Sequence, residues 1–241
     1  MTPEIAKTMN SANLFPLIEA DVAAADVVPY ETLVFSSAWG SGPHCLAKRV
    51  MDVIGSSIML VLLSPLFLLL AALVKLSSPG PVFYRSYLIG EGGRPFLGYK
   101  FRSMYVNADQ LKAHLAHLNE MSGPVFKITA DPRVTSLGKW IRKYSLDELP
   151  QLYSVLKGDM SLVGPRPPLE DEYRFFTPYQ KQKLSVRPGI TCLWQVNGRN
   201  EISDFDEWVR LDLKYIRTWS LWLDMRILLK TAVVVVQGSG K

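Results

Sequence analysis

Val53-Ile54-Gly55-Ser56-Ser57-Ile58-Met59-Leu60-Val61-Leu62-Leu63-Ser64-Pro65-Leu66-Phe67-Leu68-Leu69-Leu70-Ala71-Ala72-Leu73-Val74 is a run of 22 residues without a charge. As a helix it is about 33 Å long, enough to match a hydrocarbon core about 30 Å thick. A soluble protein seldom buries a helix this long and this uniform, so the run predicts insertion into a membrane. Its middle holds Ser64-Pro65. A proline there removes a backbone donor and kinks the helix. Lys48 and Arg49 precede the run and Lys75 follows it, so the tendency of cations to stay cytoplasmic does not put the two ends on opposite sides. A helix that crosses, and one that bends at Ser-Pro and returns, both satisfy these residues.

Outward from this run, the 241-residue chain carries a net charge of +5, unevenly placed. Residues 1–45 hold one lysine and five acids (Glu4, Glu19, Asp21, Asp26, Glu31), and the remainder is correspondingly basic. A basic body implies an anionic partner, such as lipid headgroups, nucleotide phosphates or nucleic acid. Cys45 and Cys192 stand far apart in unlike contexts and suggest neither a disulfide framework nor a zinc site. The first ten residues lack a basic start followed by an apolar run, so no signal peptide is read there. Residues 1–45 show no sustained periodicity and are expected to form a weakly structured leader, with 46–76 membrane-inserted and 77–241 the folded body.

After the breaker Ser77-Ser78-Pro79-Gly80-Pro81, residues 82–89 and 94–104 predict two strands around the turn Gly90-Glu91-Gly92-Gly93. Period-2 alternation puts Lys100 and Arg102 on one face, opposite Tyr99 and Phe101; that face either meets phosphates or is simply solvated. Residues 107–120 predict an amphipathic helix bearing His114 and His117, which lack a third ligand nearby and are read as surface histidines. A turn at Asp131-Pro132-Arg133 and a short basic helix over 137–144 follow.

Tyr144-Ser145-Leu146-Asp147-Glu148-Leu149-Pro150-Gln151-Leu152 then brings two adjacent carboxylates directly behind Lys139, Arg142 and Lys143. Ser145 and Glu148 fit a capping box, although Pro150 then sits too deep in the helix. With Asp147 as the cap, Pro150 falls in the tolerant first turn. Either way Asp147 is expected at the positive end of a helix reaching about residue 156 and stopping at Lys157-Gly158. Cations around a carboxylate pair suit phosphates, a divalent metal or both; a purely structural cap fits equally well. Gly164-Pro165-Arg166-Pro167-Pro168 carries a guanidinium on a stiff backbone, which loses little entropy on gripping a phosphate. Arg187-Pro188-Gly189 and Asn197-Gly198-Arg199-Asn200 repeat that pattern. Residues 204–219 predict a helix whose apolar stripe (Phe205, Trp208, Val209, Tyr215, Ile216) encloses Asp212. A carboxylate there has to be paired, with an arginine for instance, or bind something. Residues 221–236 are apolar but contain Asp224, Arg226 and Lys230. They suit a helix lying in the membrane interface, with Trp219 and Trp222 as anchors.

Together these motifs resemble a known family. Lys48-Arg49-x-x-Asp52, Ser64-Pro65, Tyr99-Lys100-Phe101-Arg102-Ser103-Met104, Asp131-Pro132-Arg133-Val134-Thr135, residues 145–152, Ser161-Leu162-Val163-Gly164-Pro165-Arg166-Pro167, Arg187-Pro188-Gly189-Ile190-Thr191 and Trp194-Gln195-Val196-Asn197-Gly198-Arg199-Asn200 look like the bacterial sugar transferases. These are monotopic phosphoglycosyl transferases, and the short exopolysaccharide-initiating galactosyl or glucosyl phosphate transferases are the most similar. The resemblance covers about residues 46–237. It implies an α-rich α+β fold, with a re-entrant, Ser64-Pro65-kinked membrane helix. A compact cytosolic catalytic domain would carry a β-hairpin and interfacial amphipathic helices at the cytoplasmic face of the bacterial inner membrane. It implies transfer of sugar-1-phosphate from a UDP-sugar to undecaprenyl phosphate with release of UMP. Asp147 would form the covalent phosphosugar intermediate and Glu148 would hold Mg²⁺. Lys100, Arg102, Arg142, Arg166 and Arg187 are the candidate phosphate-binding cations, with Asp212 assisting.

One departure stands out: the family commonly reads Pro-Gly-Ile-Thr-Gly where this chain has Cys192, and a Cβ there would be awkward at positive φ. Two other readings compete. A membrane-bound glycosyltransferase moving the sugar alone would release UDP. A non-enzymatic, membrane-tethered module would bind polyanions with steep salt dependence, but basic runs are too few for a nucleic-acid partner. Homo-oligomers are compatible with the sequence, and nothing in it reads the sugar's stereochemistry.

Overall fold

A computed structural model describes residues 42–198, 201–238 and 240; the expected leader falls outside these except for its last residues. The apolar run is two helices, α1 (Pro43–Leu62) and α2 (Ser64–Ser77), bent by 61° at the break. Pro65 enters the first turn of α2, where a proline costs no hydrogen bond, and the Ser64 hydroxyl returns to the Val61 carbonyl at 2.8 Å. The helix starts at Pro43, which again suits an N1 proline, so residues 43–45 belong to it rather than to the leader.

Both ends of the bent pair are tied to the same body. Lys48, Asp52 and Ser56 form the buried stripe of α1, whereas Leu46, Val50, Ile54, Ile58, Val61 and Leu62 are exposed. This is the reverse of a soluble amphipathic helix, which hides its apolar residues from water. Asp52 accepts from the Ser161 hydroxyl and the Leu162 amide. Arg49 donates to the Val155 and Leu156 carbonyls. At the far end, Arg102 donates to the carbonyls of Val74, Ser78 and Pro79, satisfying groups that a helix C-terminus leaves unpaired.

The hairpin forms as expected, β1 (Phe83–Ile89) antiparallel to β2 (Pro95–Phe101) in the register Tyr84 to Lys100 and Phe83 to Phe101. Phe101 packs between Phe83 and Phe67 of α2. The predicted helix over 107–120 is broken into α3 (Ala108–Leu111) and a 3₁₀ segment (Ala113–Leu118). After α4 (Ser136–Lys143) and α5 (Gln151–Lys157), β3 (Ser161–Val163) pairs in parallel with a later strand. Two short helices, α6 (Glu170–Tyr173) and α7 (Pro178–Lys181), lead to that strand, β4 (Gly189–Thr191). Then α8 (Leu193–Val196) and α9 (Phe205–Thr218), with Asp204 as its N-cap, complete the core around Val163, Leu193, Trp194, Trp208, Val209 and Tyr215.

The last helix, α10 (Leu221–Gln237), also inverts the usual pattern. Asp224, Ile227 and Lys230 face inward, while Trp222, Met225, Leu229 and Val236 are exposed. Two of the charges that interrupt its sequence, Asp224 and Lys230, are therefore on the protein side, whereas half-buried Arg226 lies over the exposed Trp222 ring. Of the two expected aromatic anchors only Trp222 points outward; the Trp219 indole N–H donates to Asp224 at 3.1 Å.

Candidate active site

The carboxylate pair sits in a turn, not on an α-helix. Ser145 adopts φ +54°, the one positive φ outside glycine among the described residues, a conformation that costs a non-glycine residue energy. It reverses the chain after α4 and starts the 3₁₀ turn Leu146–Glu148. Pro150 then serves as N-cap of α5, which ends at Gly158 with φ +102°. Neither capping arrangement expected from the sequence forms: Ser145 makes no side-chain cap bond, and Asp147 lies inside the 3₁₀ turn while the α-helix begins only at Gln151. The tight turn instead holds both carboxylates inside the protein, Asp147 at 8% and Glu148 at 7% exposure.

Glu148 is gripped from two directions. Lys100 of β2 reaches Oε1 at 2.7 Å and Arg166 reaches the same oxygen at 3.1 Å. The alternation puts Lys100 and Arg102 on one face, but β2 ends at Phe101. The two serve different ends: Lys100 meets the carboxylate, whereas Arg102 is buried on the carbonyls ending α2. Arg102 is thus not presented to a phosphate. Arg142 donates from Nε to the Ser103 hydroxyl at 2.9 Å, on the helix that feeds the turn.

The two proline-stiffened loops meet back to back. The Gly164 amide donates to Thr191 and the Gly189 amide to Pro165, at 3.0 and 2.9 Å. A Cβ on Gly189 would stand 2.0 Å from the Gly164 nitrogen, so only glycine permits this approach. Arg187 leans to Glu91 at the hairpin tip, 3.5 Å away and half-exposed. Residues 199 and 200 of the last basic turn lie outside the described residues.

Asp212 is fully buried, and its partner is Lys183 at 2.6 Å rather than an arginine. Burial pushes the Asp212 carboxyl above the ordinary carboxylate range, with Lys183 and then Arg166 pulling the other way. Lys183 was invisible as a site residue because only a contact 29 positions away gives it meaning. Glu91 escaped notice for the same reason. Cys192 has φ −143°, ordinary extended backbone, so the departure from glycine costs no strain. Its thiol is buried, and that burial, with Asp212 beside it, pushes it far above its usual range. A thiolate is the reactive species; Cys192 should therefore resist maleimide in the native protein and label only after unfolding, as mass spectrometry of each cysteine peptide will read.

Among the described residues no three His, Cys, Asp or Glu side chains gather into a metal cage. Magnesium, however, is commonly held by one or two carboxylates together with substrate phosphates. Asp147 and Glu148, adjacent oxygen donors with cations around them, fit such a shared site.

The sequence profile of the bacterial sugar transferases matches residues 43–238. This chain belongs to that family. It is 47% identical over 211 residues to a galactosyl transferase, CpsE, of Streptococcus agalactiae, an alignment covering 88% of this chain. It is 44% identical over 200 residues to the exopolysaccharide production protein ExoY of Rhizobium meliloti, covering 80% of this chain. It is 43% identical over 197 residues, also 80% of the chain, to an undecaprenyl-phosphate galactose phosphotransferase of Salmonella typhimurium. The matched region is 47% and 41% of the length of the streptococcal and Salmonella proteins, but 88% of the rhizobial one.

Proposed function

We propose that the chain is a phosphoglycosyl transferase that moves sugar-1-phosphate from a UDP-sugar to undecaprenyl phosphate and releases UMP, as the first membrane step of exopolysaccharide or glycoconjugate assembly. The observation that carries this reading is the buried Asp147–Glu148 turn, with Lys100 and Arg166 converging on Glu148. The names of the family relatives support the substrate classes.

Asp147 supplies the nucleophile. A carboxylate oxygen attacks the phosphorus that bears the sugar, the bond to the bridging oxygen breaks, and UMP departs with the electron pair. An oxygen of the polyprenyl phosphate then attacks the same phosphorus and returns the Asp147 carboxylate, so one difficult transfer becomes two easier ones. Lys100, Arg166 and Arg187 offset the repulsion between Asp147 and the diphosphate and stabilise charge on the equatorial oxygens. Mg²⁺, held by Glu148 together with the diphosphate oxygens, would add charge neutralisation there. Lys100 and Arg166 both contact Glu148 Oε1, so Glu148 would share its charge between these cations and a metal.

Purified full-length protein in lipid, given UDP-galactose or UDP-glucose, Mg²⁺ and undecaprenyl phosphate, should release UMP. Release of UDP instead would make it an ordinary glycosyltransferase and overturn this reading.

The bent helix pair supports a re-entrant anchor: a spanning helix has its ends about 30 Å apart on opposite sides, yet here one body holds both flanks. The exposed apolar faces of α1, α2 and α10 supply the lipid contact. Gly42→Cys, at a position where an added Cβ meets nothing within 4 Å, and Arg85→Cys on the hairpin should both label from the cytoplasmic side of sealed vesicles. Labelling from opposite sides would rule the re-entrant topology out.

A further inference from the structure

α1 carries more polar chemistry than an anchor needs. Lys48, Arg49 and Asp52 stand at helical spacing on one side of its first turns, and all three bond to the domain behind them. Apolar contacts alone could seat a helix there. These side chains instead reach two particular elements, the ones that carry the candidate site.

Arg49 serves the carboxylate side. Its guanidinium donates to the Val155 and Leu156 carbonyls at 2.7 and 2.8 Å, in the last turn of α5. The other end of α5 is capped by Pro150, which closely follows Glu148. Arg49 therefore holds the helix that continues from the Asp147–Glu148 turn. Asp52 serves the arginine side. It is buried and accepts from the Ser161 hydroxyl at 3.0 Å and the Leu162 amide at 2.9 Å. Lys48 adds the Val163 carbonyl at 3.0 Å. All three residues of β3 are thus held from α1, while β4 pairs with the strand on one side only. The strand runs directly into Gly164-Pro165-Arg166-Pro167-Pro168, whose prolines leave the backbone little freedom. Arg166 then closes on Glu148 at 3.1 Å. Hydrogen bonds and stiff backbone lead without a gap from one side of α1 to both partners of that contact.

We propose that Arg49 and Asp52 are positioning residues for the donor: by holding α5 and β3 on α1, they fix where the carboxylate turn and the Arg166 guanidinium stand relative to each other. The proposal rests on the phosphoglycosyl transfer reading, in which the diphosphate binds at that contact. A displacement of about 1 Å at a reacting site can cost on the order of 100-fold, so residues that never touch the donor can still govern its use.

The test is a mutant cycle on the full-length protein in lipid nanodiscs, reading KM and kcat for the UDP-sugar, the Kd for UDP by calorimetry, and Tm. Asp52→Leu removes the acceptor and Arg49→Met removes the donors while keeping the stem; Asp52→Asn keeps an oxygen that accepts the same bonds. Each is combined with Arg166→Ala. Well below Tm, Asp52→Leu and Arg49→Met should raise KM and the UDP Kd about tenfold or more. With Arg166 already alanine they should raise neither further, the non-additivity of sites that act together. Asp52→Asn should stay within about threefold of wild type, because hydrogen-bond acceptance and not charge is what β3 uses. Ser161→Ala, which withdraws one donor from Asp52 with little change of bulk, should raise Kd about threefold.

Unchanged Kd in the folded variants, effects that add to that of Arg166→Ala, or an asparagine as damaging as leucine would overturn the proposal. If Asp52→Leu and Arg49→Met do not fold, Ser161→Ala decides: a wild-type Kd there would make these contacts merely structural. Wild-type protein that releases UDP would sink the transfer reading alone, because the UDP titration still reports on the positioning.

Discussion

Asp147→Asn is expected to abolish turnover, lowering the rate of UMP release by a factor on the order of 10⁴ to 10⁶, the scale seen when a covalent nucleophile is removed. The amide keeps the shape of the side chain in the 3₁₀ turn Leu146–Glu148 but cannot form the acyl phosphate. Membrane extraction should match wild type, because the substitution leaves α1, α2 and α10 untouched and Lys100 and Arg166 still hold Glu148. Glu148→Gln provides the contrast. It leaves two cations facing a neutral amide, so donor affinity should persist or rise while kcat falls. Mass spectrometry of wild-type protein quenched with UDP-sugar but no polyprenyl phosphate should find one sugar-phosphate on the Asp147 peptide. The label on any other side chain, or Asp147→Asn turning over at more than a tenth of the wild-type rate, would remove the covalent mechanism from this residue.

How much of this site could be read in advance depends on the range over which each feature is decided. The apolar run and the hairpin register are local, and both were legible: length alone marks the first, and alternating side chains around a glycine turn mark the second. Alternation proposes which residues of a strand share a face, but not what lies opposite. Alternation pairs Lys100 with Arg102, yet whether a cation meets Glu148 or the carbonyls of residues 74–79 is set by chain 23 to 48 residues away.

Pro150 signalled a helix boundary, yet the left-handed Ser145 that makes the carboxylate turn belongs to a residue type with no special claim to that conformation. The stripe of α9 revealed Asp212 as an anomaly without naming Lys183. The charges in α10 look like interruptions on paper because periodicity shows that a helix has two faces, not which of them meets protein. In α1 and α10 the usual assignment of faces is reversed, with charged residues buried and apolar ones exposed.

That reversal concentrates stability in a few polar contacts, and Asp224→Ala should expose it. Asp224 is fully buried and accepts from Lys48 at 2.7 Å, the Tyr215 hydroxyl at 2.7 Å and the Trp219 indole at 3.1 Å. Removing it strands a buried ammonium and orphans an indole, at a cost of about 3–5 kcal/mol. Domains of this kind hold only about 5–15 kcal/mol in all, so a large loss of thermal stability in detergent is expected. Lys48 also donates to the Val163 carbonyl, which lies 3.1 Å from the Tyr215 hydroxyl, one residue before the loop that carries Arg166. Loosening the α1–α10 contact should therefore weaken UDP binding as well as stability, although no member of the network is near the donor's phosphates by any contact described. Lys48→Met/Asp224→Leu separates the two contributions. By exchanging the charges for apolar volume it should recover most of the Tm, and it should recover donor affinity only if the Val163 strand needs no polar tether. An Asp224→Ala protein as stable as wild type would mean that apolar packing alone docks α1 on the rest of the domain.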